Sequence, residues 1–184
     1  MNSLIFFNKL SGKFFSNVLL RYAIAIIALS AIGHFVPEVM GLGTSTVLGA
    51  VSGEYVLYFA LIILIGKILA TSVSLGFGFF GGVFSPALLV GASAGAVVAE
   101  LFVVVGFLEK FEPALVVSGM AAVTGAVIGA PLCMVVIVME LTSSYIYALA
   151  SLVGLTLSVS LSHILFGASY FDRQLGARGI DIST

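Results

Sequence analysis

The sequence predicts an all-α, multi-pass membrane protein of tilted, broken helices, and three observations carry that reading. Of 184 residues, 61% are hydrophobic and only 8% are charged, whereas a soluble domain is nearer a quarter charged. The charged side chains are bunched, leaving charge-free runs of 32 residues at 68–99, 27 at 113–139 and 31 at 141–171. A run of 32 residues would reach about 48 Å as one straight helix, against a hydrocarbon core of about 30 Å. Each run is therefore broken inside or near the membrane. A net charge of −1 with no basic cluster excludes a nucleic-acid partner. The single cysteine, Cys133, excludes a disulfide scaffold and a thiolate metal site.

The elements follow in order. Lys9, Lys13 and Arg21 precede a first apolar helix at 18–36, which puts the amino terminus in the cytoplasm. The segment 1–10 is not expected to be a signal peptide, since its apolar core is short, no clear small-residue cleavage site follows and basic residues come after it. A short helix near 44–52 leads into a long one at 55–75. Gly76-Phe77-Gly78-Phe79-Phe80-Gly81-Gly82, then Ser85-Pro86, interrupts the first charge-free run before a helix at 86–105. Gly129-Ala130-Pro131 likewise separates helix 114–128 from helix 131–146. Those two have only about 15 residues, about 22 Å, too short for a comfortable perpendicular span. A helix at 147–166 and a terminal turn at 171–177 complete the set. Arg173 and Arg178 place the carboxyl terminus in the cytoplasm as well, for a topology of six crossings. No linker divides the chain, so 1–184 reads as a single membrane domain.

The break before helix 86–105 is the candidate site. Irregular backbone at membrane depth is tolerated where protein buries it or water reaches it, and transporters aim half-helix amino termini at anions. Proline suits the first helical position and serine the N-cap, so the helix is expected to begin at Ser85 with Pro86 inside it. The glycines ahead, Gly82 included, let backbone N–H groups face a ligand. That leaves the amides of Val83, Phe84 and Ser85 to hold an anion. Partial charges suit a permeating ion, which has to leave as well as enter. The residues alone leave open the alternative of a simple kink in a packed helix.

Gly81-Gly82-Val83-Phe84-Ser85-Pro86 resembles the GxFxP signature of the CLC family of chloride channels and proton-coupled chloride transporters. Gly129-Ala130-Pro131-Leu132 followed by Met139-Glu140-Leu141-Thr142 resembles that family's APL…E(L/M)T stretch. The closing run from Ser169 to Ile180 is similar to its final membrane-domain helix, and weaker similarity reaches forward through Phe35-Val36-Pro37. The resemblance implies transmembrane transport of chloride or a similar anion, with the central anion on the amides of Val83 and Phe84. A tyrosine hydroxyl usually completes that shell. Phe171 stands at the matching position, so Phe171 is expected as an aromatic wall and the adjacent Tyr170 as the substitute donor.

The same resemblance identifies the chain as the second inverted repeat of the CLC-type fold plus the last helix. Motifs of the first repeat, of the GSGIP and G(R/K)EGP kind, do not occur, so the gating glutamate is missing. The implied protein is a fragment, a truncated product or a split subunit, inactive alone and in need of a first-half chain. A cytosolic CBS module is not expected. The family's dimer contacts imply a homodimer through helices 131–146 and 147–166, embedded in the cell membrane.

Other residues carry weaker signals. Lys67, inside helix 55–75, is expected to snorkel or pair with an acid, with anion attraction secondary. Glu140 is expected to hold the Thr142-Ser143-Ser144 turn or reach water rather than relay protons. Both are kept as possible pore or outer-shell residues. Gly91-Ala92-Ser93-Ala94-Gly95 fits G-x-S-x-G, which raises an intramembrane serine hydrolase as an alternative. Ser93 lies inside a helix, however, and Gly91 with Gly95 makes a smooth face for close helix packing. Gly119, Ala122, Gly125, Ala126 and Gly129 do the same for helix 114–128. Gly76-x-Gly78-x-x-Gly81 matches a dinucleotide pattern by accident, since no acid follows at the right distance. His34 and His163 read as packed or interfacial side chains, so no metal and no cofactor are expected. A non-transporting membrane scaffold is the competing class.

Overall fold

The computed structural model describes residues 18–79, 81–107 and 113–166, which form helices with no strand among them. In order these are α1 (Val18–Phe35), a 3-10 turn (Pro37–Val39), α2 (Thr44–Val51), α3 (Leu57–Gly76), α4 (Phe84–Val104), α5 (Pro113–Ile128), α6 (Pro131–Thr142) and α7 (Tyr145–Phe166). The expected terminal turn at 171–177 lies outside the described residues. Three helices are long and apolar enough to cross a membrane: Leu57–Gly76, Phe84–Val104 and Tyr145–Ser162. Tyr22–Phe35, Pro113–Ile128 and Pro131–Thr142 are apolar but shorter. Large apolar side chains point outward along the bundle, among them Ile26, Ile65, Val136, Leu149 and Leu157, as hydrocarbon-facing surfaces do.

The breaks fall where glycine permits them. Gly78 takes φ +95 just past the end of α3. Its N–H donates to Leu75 O at 3.2 Å, and the N–H of Phe79 donates to Ser74 O at 3.0 Å. This pair of bonds is the Schellman arrangement that ends a helix while satisfying its last carbonyls. Gly106, at φ +81, ends α4 in the same way, with Phe107 and Phe102 rings 5.9 Å apart.

One expected boundary moves. Helix 131–146 stops at Thr142, and Tyr145 and Ile146 open α7 instead. The Thr142 hydroxyl donates to Val138 O at 2.7 Å, and Ser143 turns into the left-handed region at φ 49. A Thr hydroxyl that bonds back to the i−4 carbonyl competes with helical backbone bonding in this way. Ala148 N–H then returns to Ser144 O at 3.2 Å, which starts the next helix. With 12 residues, α6 is shorter than the sequence suggested.

The core lies where α4, α5 and α7 cross. In lipid, apolar transfer does not drive helices together, so association relies on close backbone approach. An added Cβ on Gly91 would sit 2.5 Å from Gly119 O and 2.7 Å from Met120 Cα. One on Gly95 would sit 2.5 Å from Leu115 O. The expected smooth faces thus meet each other. On the opposite side of α5, Gly125 faces Leu155 of α7, and Gly154 faces Ser118, whose hydroxyl donates to Ala150 O at 3.1 Å. Buried Thr124 and Ser151 are satisfied within their own helices, at Met120 O and Ala148 O, both 2.7 Å. A smaller cluster of Ala25, Val73 and Phe77 joins α1 to α3.

Candidate anion site at the start of α4

The chain leaves α3 through the Gly78 turn and reaches α4 by way of Gly81 and Gly82. Both are exposed, with no described atom within 4 Å of where a side chain would begin. Phe79 is held from behind by Tyr22 of α1, ring centroids 5.2 Å apart. The strand of backbone that approaches α4 is therefore anchored at one end and open at the other.

The start of α4 differs from the expectation of a Ser85 N-cap with Pro86 first in the helix. The helix begins at Phe84, and Val83 is the N-cap, at φ −89 and ψ −12. Val83 O accepts the first intrahelical bond from Ala87 N–H at 3.0 Å. Pro86 is the third helical residue, still within the first turn, where a missing N–H costs nothing. Ser85 makes no capping bond, because its hydroxyl donates instead to Leu42 O at 2.6 Å.

The result is a helix start with unspent donors. Among the described residues, no protein acceptor takes the N–H of Val83, Phe84 or Ser85. Phe84 is 39% exposed, and Val83, Ser85 and Pro86 are half-buried. The first-turn amides of a helix carry roughly half a positive charge, and they form a ready-made seat for an anion. Gly82 contributes room for approach rather than a side chain.

Lys67 does not snorkel, and among the described residues it pairs with no acid. It is 5% exposed at the middle of α3, and its ammonium donates to Val39 O at 2.7 Å and Gly41 O at 3.0 Å. Glu140 is exposed on α6 beside a shallow hollow of about 210 Å³ formed with Met139, Ser143 and Tyr145. It does not hold the Ser143 turn, which rests on the Thr142 hydroxyl and the Ser143 N–H. Phe171 and Tyr170 lie outside the described residues. Ser93 is 2% exposed within α4 at the crossing with α5, so its G-x-S-x-G setting serves packing.

Sequence reasoning missed the 39–43 loop, whose carbonyls meet both Lys67 and Ser85. The signal available was Gly41-x-Gly43 ahead of α2. Both glycines adopt positive φ, +67 and +72.

Apolar, interrupted helices with a helix start left open are the architecture of a membrane transport protein. The sequence model described as voltage gated chloride channel matches residues 1–163, and the chain belongs to that family. It is 33% identical over 130 residues to an uncharacterized protein of Methanocaldococcus jannaschii, covering 68% of this chain and 31% of that one. A protein of Ralstonia nicotianae whose name describes it as ClcB-like, after a chloride channel protein, is 29% identical over 157 residues, covering 85% and 37%. The H(+)/Cl(-) exchange transporter ClcA of Vibrio parahaemolyticus is 26% identical over 142 residues, covering 77% and 30%. The matches thus span about a third of the length of these curated relatives.

Proposed function

We propose that this chain supplies one wall of a membrane path for chloride or a similar small anion, with the ion resting on the amides of Val83 and Phe84 and the Ser85 amide beside them. The observation that carries this reading is the set of three first-turn N–H groups on α4 without a protein acceptor among the described residues. A halide has no fixed bonding geometry, so a few such donors hold it without the tight grip of a buried lysine or arginine. Family membership supports the reading at the level of anion transport.

A single helix start donates from one side only. The opposite wall is therefore assigned to a companion surface, a first-half chain of the same family, and the chain alone is inactive. Phe171 and Tyr170 are proposed to line the same path. A homodimer through α6 and α7, in the cell membrane with both termini cytoplasmic, completes the proposal.

Halide efflux from liposomes tests it. Flux is expected when the chain is reconstituted with a first-half companion and absent with either chain alone. A companion-containing liposome that shows no halide flux above empty vesicles would return the chain to the class of membrane scaffold.

A further inference from the structure

We propose that Lys67 is a positioning residue for the anion site, acting through the 39–43 loop as a strap that holds the first turn of α4 in place. This inference rests on the proposed anion reading. A cation at mid-helix in a membrane protein is costly unless its donors are used, and here the partners are backbone carbonyls. The ammonium takes Val39 O at 2.7 Å and Gly41 O at 3.0 Å, while the very next carbonyl, Leu42 O, takes the Ser85 hydroxyl at 2.6 Å. Neighbouring peptide units are only about 3.8 Å apart, so the ammonium lies on the order of 10 Å from the start of α4.

The loop is shaped for this task. Gly41 and Gly43 both sit at positive φ, which reverses the chain on either side of Leu42 and lets successive carbonyls point at different helices. Gly43 packs so closely on α4 that an added Cβ would lie 2.8 Å from Leu89 Cδ2. The other end is tied by the Thr46 hydroxyl, which donates to Glu38 O at 2.9 Å. The strap is therefore fixed at α2, α3 and α4.

Two consequences bear on an anion. The Val39 and Gly41 carbonyls, negative ends of peptide dipoles, are spent on the ammonium. The Ser85 hydroxyl is spent on Leu42, so Ser85 offers the ion its amide and not its side chain. Without Lys67 the strap loses its inner anchor, and the amides at 83–85 keep their presenting geometry for only part of the time. Apparent affinity falls in proportion to that fraction, so an order-of-magnitude loss follows from about one-tenth occupancy.

The test uses the chain reassembled with its first-half companion in detergent, with chloride as the probe and chloride NMR line broadening as the affinity readout. Hydrogen exchange at 39–43 and 83–87 is measured alongside. Lys67→Met is expected to speed exchange in both segments and weaken chloride binding about tenfold, and Lys67→Arg to restore both. Should Lys67→Met fail to fold, Ser85→Ala cuts only the outer tie and is expected to weaken binding several-fold at an unchanged melting temperature. Chloride binding within twofold of wild type in Lys67→Met, or in Ser85→Ala, overturns the strap. A wild-type assembly that broadens no chloride signal overturns the anion reading itself, and the inference falls with it.

Discussion

Replacing Val83 by proline removes one candidate ligand donor and little else. Val83 N–H has no protein acceptor among the described residues, so no internal hydrogen bond is lost. Its φ of −89 lies about 10° outside the usual proline range. The preceding residue, Gly82, is exposed and free of described neighbours, so it accommodates the extended conformation that proline imposes on it. The expected cost in stability is below about 1 kcal/mol. A hydrogen bond to a charged partner is worth about 1.5–3 kcal/mol, so chloride affinity should fall by about 10- to 150-fold. The assay is calorimetric chloride titration of the chain reassembled with a first-half companion, with melting recorded in parallel. Val83→Ala keeps the amide and should bind within about twofold of wild type. Unchanged affinity in Val83→Pro, at unchanged melting, would refute the assignment of this amide to the ion.

Three further outcomes test the surrounding structure. Gly91→Ala would place a methyl group 2.5 Å from Gly119 O; overpacking of this kind costs about 1–3 kcal/mol, and the melting temperature in detergent should drop. Ser143→Gly relieves a non-glycine residue at φ 49 and should raise the melting temperature, by up to about 1 kcal/mol of stability. Burial, with the charges of Glu54 and Glu38 adding to it and a Thr46 hydrogen bond opposing, raises the Tyr55 phenol above its ordinary 10.0. Above pH 10 the unfolded chain then loses that proton first, so stability declines from pH 10 up to the folded midpoint. Tyr55→Phe should flatten that decline in pH-dependent melting, and an equal slope in both proteins would contradict it.

The broad architecture was open to inspection in the residues themselves. Charge-free runs longer than a membrane is thick have to break, and glycine or proline marks where, as at Gly78 and at Gly129-Ala130-Pro131. Small residues at four-residue spacing declared the close crossing, because only a missing side chain lets two backbones touch, as Gly91 and Gly119 do. These features depend on local sterics and on hydrocarbon, which act on every chain alike.

Tertiary structure alone decided the details of the site. Ser85 and Pro86 carry strong local preferences for the N-cap and first helical positions, yet α4 starts earlier at Phe84. The reason is a partner 43 residues away in sequence, the Leu42 carbonyl, which claims the serine hydroxyl. Lys67 likewise bonds two carbonyls of the same loop and, among the described residues, no acid. Local preference amounts to about 1 kcal/mol, and a hydrogen bond set by how distant segments pack is of the same size, about 0.5–1.5 kcal/mol, so the tertiary contact decides between nearly equal helix starts. Composition and spacing announce that a helix will begin here; which donors remain free at its tip depends on what the rest of the fold brings alongside.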